Sequence, residues 1–237
     1  LDPRTAVAVG EGGTIAFTHD GGSTWMASDT LSGIASDLFS IAFLNDARGF
    51  AVGRDGAFIQ TTDGGKSWKK GKSPTKESMI SVYFVNHSTG WIVGFNGILF
   101  RTTNGGTSWK PQPIGINNHL WSIVFVNRTN GFIVGSGGIL LKTTNGGTKW
   151  NTIDIGITNF LYSVSFSNST TGWISGGYGA VLRTTDCGSS WIRQNTLPET
   201  RVFQTSTFFY GIHFLDPSNG VIIGSEGKIL RTADGGE

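Results

Sequence analysis

TTDGGKSW at 61–68, TTNGGTSW at 102–109 and TTNGGTKW at 143–150 are one octapeptide written three times, and THDGGSTW (18–25) and TTDCGSSW (184–191) are two further copies. A sixth copy, RTADGGE, begins at Arg231. The tryptophans that end the five complete copies, Trp25, Trp68, Trp109, Trp150 and Trp191, fall 43, 41, 41 and 41 residues apart. A second signature keeps step with the first: FSIAF (39–43), ISVYF (80–84), WSIVF (121–125), YSVSF (162–166) and YGIHF (210–214). After it come a polar turn such as VNHSTG, a short run such as WIVG, a two-residue spacer, another Gly, and a run such as ILFRTT. Each unit therefore holds four short β-branched and aromatic runs, separated at about 8–12 residues by Gly, Asn, Ser and Thr, which predicts a four-stranded antiparallel meander. A period of about 40–50 residues with four strands per unit describes a propeller blade.

The expected fold class is thus all-β, a β-propeller of four-stranded antiparallel blades forming one domain over 1–237, with a β-helix or sandwich as the alternative. Leu1-Asp2-Pro3 aligns with Leu215-Asp216-Pro217, and the chain stops before a sixth box tryptophan. The strand count is then three, four repeats of four, and three more, 22 in all. The domain is expected to be incomplete at both ends, with six or more blades and seven when complete.

Composition agrees with a globular chain rich in tight turns: 38% hydrophobic, 14% charged, 36 glycines and 6 prolines. A formal charge of +2 with singly scattered Lys and Arg lacks the basic footprint of a nucleic-acid binder. One cysteine, Cys187, cannot form an internal disulfide, and with four histidines it makes no metal-type spacing, so neither metal nor cofactor is expected. No apolar run approaches a membrane span of about 18–20 residues.

The octapeptide resembles the Asp-box, or BNR repeat, Ser/Thr-x-Asp-x-Gly-x-x-Trp. Its acidic or amide position, Asp20, Asp63, Asn104, Asn145, Asp186 and Asp234, can accept backbone N–H bonds across the hairpin, and the following Gly can take a positive φ. The tryptophan is expected to open the fourth strand and pack between blades. Because two of the six positions are uncharged Asn, the box reads as structural, not as a set of calcium ligands or catalytic acids. The whole repeat, as in residues 84–109, is similar to that of the photosystem II assembly and stability factor family and its non-photosynthetic bacterial relatives. The resemblance implies a non-enzymatic, lumenal, periplasmic or cell-surface scaffold that binds a protein partner or a membrane-protein complex; photosynthetic members carry a basic partner-binding patch.

Sialidases and some endoglucanases also carry Asp-boxes, but the arginine triad, Arg-Ile-Pro segment and Tyr/Glu pair that a sialidase resemblance requires cannot be assembled here, and no two carboxyl groups recur in a catalytic context. No catalytic residue is assigned. A carbohydrate-binding or glycoside-hydrolysing propeller, and a structural repeat region of a larger surface or filament protein, stay open as alternatives.

Strand alternation puts the box hairpins and the first-to-second-strand turns on one face, and the VGxxG hairpins with the inter-blade connections on the other. That second face changes from blade to blade, as a recognition surface on a fixed scaffold must. The candidate binding residues are therefore Arg54, Phe95, Asn96 and Tyr178 from the hairpin spacers, with Trp121, Tyr162 and Tyr210 from the starts of first strands, a repeat position also held by Phe39 and Ile80. The connection 192–209, about seven residues longer than its equivalents, is expected to add a partner contact. The basic position Arg101, Lys142, Arg183 and Arg231 is expected to form a solvated stripe, and Cys187 to be a half-buried turn thiol. Asn86, Asn127 and Asn168 match the N-glycosylation pattern at one repeat position, where a polar turn produces the same residues without a glycan.

Overall fold

A computed structural model of the chain describes residues 4–30, 35–194 and 207–236. Leu1–Pro3 and most of the long 192–209 connection lie outside the described residues. The chain forms two compact units, Leu1–His119 and Leu120–Glu237.

The first unit opens on a three-stranded sheet, β1 (Ala6–Val9), β2 (Ile15–Thr18) and β3 (Met26–Ala27). A short strand, β4 (Asp29–Thr30), then runs parallel to the outer strand of the second sheet, which comprises β5 (Leu38–Phe43), β6 (Gly49–Gly53), β7 (Phe58–Thr61) and β8 (Ser67–Lys70). The third sheet is β9 (Met79–Phe84), β10 (Gly90–Gly94), β11 (Leu99–Thr102) and β12 (Lys110–Pro111). The second unit repeats the plan with β13 (Leu120–Phe125), β14 (Gly131–Gly135), β15 (Leu140–Thr143) and β16 (Asn151–Thr152), then β17 (Leu161–Phe166), β18 (Gly172–Gly176), β19 (Val181–Thr184) and β20 (Ile192–Arg193). It ends on a three-stranded sheet, β21 (Phe209–Phe214), β22 (Gly220–Gly224) and β23 (Ile229–Thr232). Apart from β4 every pairing is antiparallel between sequence neighbours, so the fold is an all-β propeller class built from six blades. Strand β4 was not expected, since two residues carry no periodicity to read.

Second strands form the interior: β6, β10, β14 and β18 are buried along their whole length. Their large residues stack on the neighbouring first strands, as Phe50 does on Phe84 at 5.7 Å and Phe132 on Phe166 at 4.7 Å. The expected solvated basic stripe is corrected here for three of its four positions, Arg231 being exposed. Antiparallel register sets Arg101 opposite Trp91, Lys142 opposite Phe132 and Arg183 opposite Trp173. Their cationic groups lie 5.7, 5.5 and 5.8 Å from the ring centroids, so these side chains are half-buried lids on aromatic residues. Lys142 also donates from Nζ to the Cys187 carbonyl at 2.7 Å.

Each of the five complete boxes is knotted around its buried threonine. Thr61 donates its hydroxyl to Asp63 Oδ1 at 2.8 Å and accepts the Gly65 N–H at 3.0 Å, while the Ser67 N–H reaches Asp63 Oδ1 at 3.0 Å. Asn104 makes the same bonds, accepting from Thr102 at 2.9 Å and from the Ser108 N–H at 3.0 Å. Asn145 accepts from Thr143 and the Lys149 N–H, both at 3.0 Å. The first box glycine donates to the first-to-second-strand turn of its own blade, as from Gly105 to Ser88 O at 2.8 Å. In those turns Asn86, Asn127 and Asn168 accept two backbone N–H bonds each at 2.7–2.9 Å, which makes them Asx-turn residues. Cys187 replaces a box glycine and keeps its positive φ, at 58° and half-buried.

The box tryptophans divide. Trp68 is 1% exposed, donates from Nε1 to Gly65 O at 3.0 Å, and packs in one cluster with Ile15 of the preceding blade. Trp109 meets Phe50 and Phe58 of the preceding blade edge-on at 6.4 Å, and Trp191 meets Phe132 at 6.2 Å. Trp150 is buried against Phe125 at 5.7 Å. Trp25, in contrast, is 49% exposed. Only Trp68 stands inside its outer strand; Trp25, Trp109, Trp150 and Trp191 come one residue before theirs.

Two outcomes follow. Trp68→Ala should cost about 3–5 kcal/mol in denaturant unfolding, and Trp25→Ala less than about 1 kcal/mol, since only the first leaves a cavity. Hydrogen bonds from Thr24 and Thr18 hold Asp20 at a pKa of about 2, and against the upward pull of burial those from Ser67 and Thr61 hold Asp63 there too. Bonds from Ser190 push Asp186 down in the same way. The folded chain therefore binds fewer protons than the unfolded one below pH ~4, so this stabilisation is complete above that pH and is lost as pH falls towards ~2. The triple variant Asp20→Asn, Asp63→Asn, Asp186→Asn should melt near the parent at pH 7, where Asn104 and Asn145 already serve the same turns. Its loss of melting temperature between pH 4 and 2 should be shallower.

Candidate functional site

The edge opposite the boxes is built from two backbone devices. Each VGxxG hairpin turns on a residue pair with both φ angles positive, Asp55-Gly56 at 52° and 73° and Asn96-Gly97 at 55° and 69°, the type I′ geometry that matches strand twist. The second device is a bulge in every complete first strand. Leu38 pairs with Gly53 and Ser40 with Val52, leaving Phe39 as the extra residue; Ile80, Trp121, Tyr162 and Tyr210 are extra in the same way. Bulges re-aim a side chain, and these push one large residue per blade toward the hairpin edge. The glycine opposite cannot be replaced, because a Cβ on Gly53 or Gly176 would overlap the carbonyl oxygen of Asp37 or Phe160.

In the first unit this edge is occupied by its own contacts. Arg54 pairs with Asp37 through Nη2 at 2.7 Å and Nε at 2.8 Å, and its guanidinium lies 5.9 Å from the Phe39 ring. Asp37 also accepts the Gly12 N–H at 2.9 Å, and that bond, with those from Arg54, holds its carboxyl below the usual range. Phe95 is half-buried against the His119 ring at 4.5 Å. Asn96 donates its N–H to His119 Nδ1 at 3.1 Å and Nδ2 to Glu77 at 2.9 Å.

In the second unit the candidates come together. Trp121 meets Tyr162 at 5.6 Å, and Tyr162 meets Tyr210 at 5.3 Å. Tyr178 joins through Phe208, at 5.6 Å, which in turn lies parallel to Tyr210 at 6.2 Å. Phe160 completes the group, 6.2 Å from Tyr162. Phe160, Tyr178 and Tyr210 are 42, 50 and 53% exposed, while Trp121, Tyr162 and Phe208 are half-buried beneath them. Burial, with Tyr210 and Tyr178 nearby, raises the Tyr162 pKa. Sequence reading missed Phe160 and Phe208. Both immediately precede first strands, where the repeat carries Asp37, Ser78 and His119 in other blades, so only the backbone bonds Gly177 N to Phe160 O and Ser225 N to Phe208 O place them at this edge.

The carboxylates here and at the boxes serve local structure: Asp216 bonds the Ser218 and Asn219 N–H groups at 2.8 Å, Asp154 that of Gly156 at 2.9 Å, and Glu226 pairs with Lys228 at 2.9 Å. Among the described residues no group of three or more His, Cys, Asp and Glu could hold a metal ion, and no helix is long and apolar enough to cross a membrane.

No curated protein matches the chain in sequence. Among solved structures it is similar to YCF48 bound to D1 peptide, at 21% identity and a TM-score of 0.57, with 98% of this chain and 90% of that chain covered. YCF48 from Cyanidioschyzon merolae is similar at 19% identity and 0.56, covering 98% and 92%. An ancestral GH74 enzyme superposes at 0.78 with 16% identity, covering 98% of this chain but only 35% of the enzyme. At these identities the likeness carries the propeller fold alone. The family itself is given by sequence: the model described as Photosynthesis system II assembly factor YCF48 matches residues 2–62 and 61–157. Spanning well over half of the protein, that match makes the chain a member of the photosynthesis system II assembly factor YCF48 family.

Proposed function

We propose that this chain is a non-enzymatic scaffold that works outside the cytoplasm and binds a protein partner through the aromatic edge of its second unit. The observation that carries the reading is the exposed group Phe160, Tyr178 and Tyr210 standing on Trp121, Tyr162 and Phe208. Tyrosine and tryptophan combine large apolar area with directed hydrogen bonds and dominate many interfaces. A polypeptide partner is further supported by the family relative solved with a D1 peptide bound. The extracytoplasmic location rests on the resemblance of the whole repeat to lumenal and periplasmic assembly factors. The enzymatic reading draws on the GH74 neighbour, but a glycosidase needs two carboxyl groups facing one site, and the acids described above are engaged in turns and ion pairs. Arg54, Phe95 and Asn96 belong to a secondary contact, since each already has a partner within its own unit.

Co-purification from the source cells with variant chains tests this. Tyr178→Gly with Tyr210→Ala should weaken retention of a stoichiometric polypeptide by about 2 kcal/mol or more, without lowering the melting temperature. Lys66→Glu with Lys149→Glu, on the exposed box edge, should leave retention unchanged. Binding lost through the lysine pair alone would move the site to the boxes, and glycoside turnover abolished by one acidic substitution would overturn the scaffold reading.

A further inference from the structure

The first unit contains an example of what a bulged aromatic residue accepts. Arg54, from the hairpin spacer, sets its guanidinium over Phe39, and Asp37, two residues before that ring, takes the guanidinium Nε and Nη2. Three repeat positions make the arrangement, 37, 39 and 54, and position 55 adjoins them on the hairpin. In the fifth blade those positions hold Phe160, Tyr162, Gly177 and Tyr178, and in the sixth Phe208, Tyr210, Ser225 and Glu226. The rings have multiplied and the arginine is replaced by Gly or Ser. Among the described residues, the cations that lie over rings use Phe50, Phe39, Trp91, Phe132 and Trp173, and none covers Phe160, Tyr178, Phe208 or Tyr210.

The electrostatics favour a cation there. Every ring face carries the negative lobe of its quadrupole, and a guanidinium is weakly hydrated and planar enough to lie on it. The parallel Phe208 and Tyr210 rings and the adjoining Tyr178 offer several such faces within one group. Glu226 follows Ser225, whose N–H donates to Phe208 O at 2.8 Å, and its carboxylate on this hairpin edge is held by Lys228 at 2.9 Å, so the rings and not a free acid are what the edge offers a cation.

We propose that the aromatic edge of the second unit binds arginine side chains of a partner polypeptide, with guanidinium groups over Tyr178, Phe208 and Tyr210. This rests on the protein-binding reading above and adds the chemistry that the partner presents. It reverses the sign of the interaction expected of a scaffold with a basic patch: the cation comes from the partner and the aromatic surface from the propeller.

The test titrates the full chain with three fluorescein-labelled peptides of repeating Gly-Ser-X, where X is arginine, lysine or the neutral arginine isostere citrulline, followed by fluorescence anisotropy. The arginine peptide should bind about tenfold more tightly than the citrulline peptide. Tyr178→Gly with Tyr210→Ala should remove that preference; glycine is the variant of choice because Gly12 and Gly137 occupy the same left-handed position, so the turn is kept. Tyr178→Phe with Tyr210→Phe should retain it, since the ring face and not the hydroxyl makes the contact. Equal binding of the arginine and citrulline peptides, lost together in the Gly/Ala variant, would overturn the arginine preference and leave the protein-binding scaffold standing. Failure of all three peptides, with a cello-oligosaccharide quenching tryptophan fluorescence instead, would overturn both. An arginine preference indifferent to both double variants would place the site elsewhere and sink the proposal.

Discussion

The hydroxyl of one threonine in each of the first five blades is the point on which the fold turns. Thr18, Thr61, Thr102, Thr143 and Thr184 are at most 2% exposed. Such a group costs about 1–3 kcal/mol if left without partners, and each of these has both a donor and an acceptor partner within four residues. Donating to the box Asp or Asn fixes that side chain where it can accept the N–H of the fourth residue on. Accepting the second glycine's N–H sets the loop close against the preceding blade, where a Cβ on Gly106 would meet the Phe50 ring and one on Gly188 the Phe132 ring. The threonine and the second glycine cannot change without disturbing hydrogen bond, turn and packing together. That is why the boxes repeat so closely.

The opposite edge is constrained through backbone only. A type I′ turn asks for two positive φ angles and a bulge asks for one glycine across the ladder, and neither specifies the side chains that project from them. The same frame therefore carries an ion pair on a phenylalanine in the second blade, a histidine stacked on phenylalanine at the end of the first unit, and an aromatic group in the second unit. Bonds from the hairpins to the connections run through this edge as well, from Gly12 to Asp37, Asn96 to His119 and Gly179 to Thr207. Variation is thus allowed at positions rigid enough to present it.

The two edges differ in how far they could be read from sequence. A period of 41 residues and a recurring octapeptide identify blades, strands and box hairpins directly, because turn chemistry and period-2 alternation are local. The threonine went unweighted beside the aspartate, since hydroxyls are usually exposed and its burial depends on the packed neighbour. The lids made by Arg101, Lys142 and Arg183 were invisible, because cross-strand register joins residues ten positions apart through a turn whose exact length decides the pairing. Trp121, Tyr162 and Tyr210 were found as one repeat column, whereas Phe160 and Phe208 sit in connections with no repeat identity. Arg54 looked available for a partner, and only the structure reveals that Asp37 already holds it.

Tyr178 concentrates what the variable edge is for. At φ 56° it occupies the left-handed region, which costs a bulky residue about 1–2 kcal/mol and which the equivalent positions fill with Gly12, Asp55, Asn96, Gly137 and Glu226. Four of the other five are the glycine, aspartate or asparagine that such a turn prefers; tyrosine is the worst suited of the set. Stability does not explain the choice, for the side chain is half exposed and touches one half-buried ring, Phe208, at 5.6 Å. A residue kept against its own backbone preference, pointing outward, on a turn pinned by Gly179 N to Thr207 O, is placed for something other than folding. The turn fixes where the Cα–Cβ bond of Tyr178 leaves the hairpin, so a partner meets this side chain at one place on the edge.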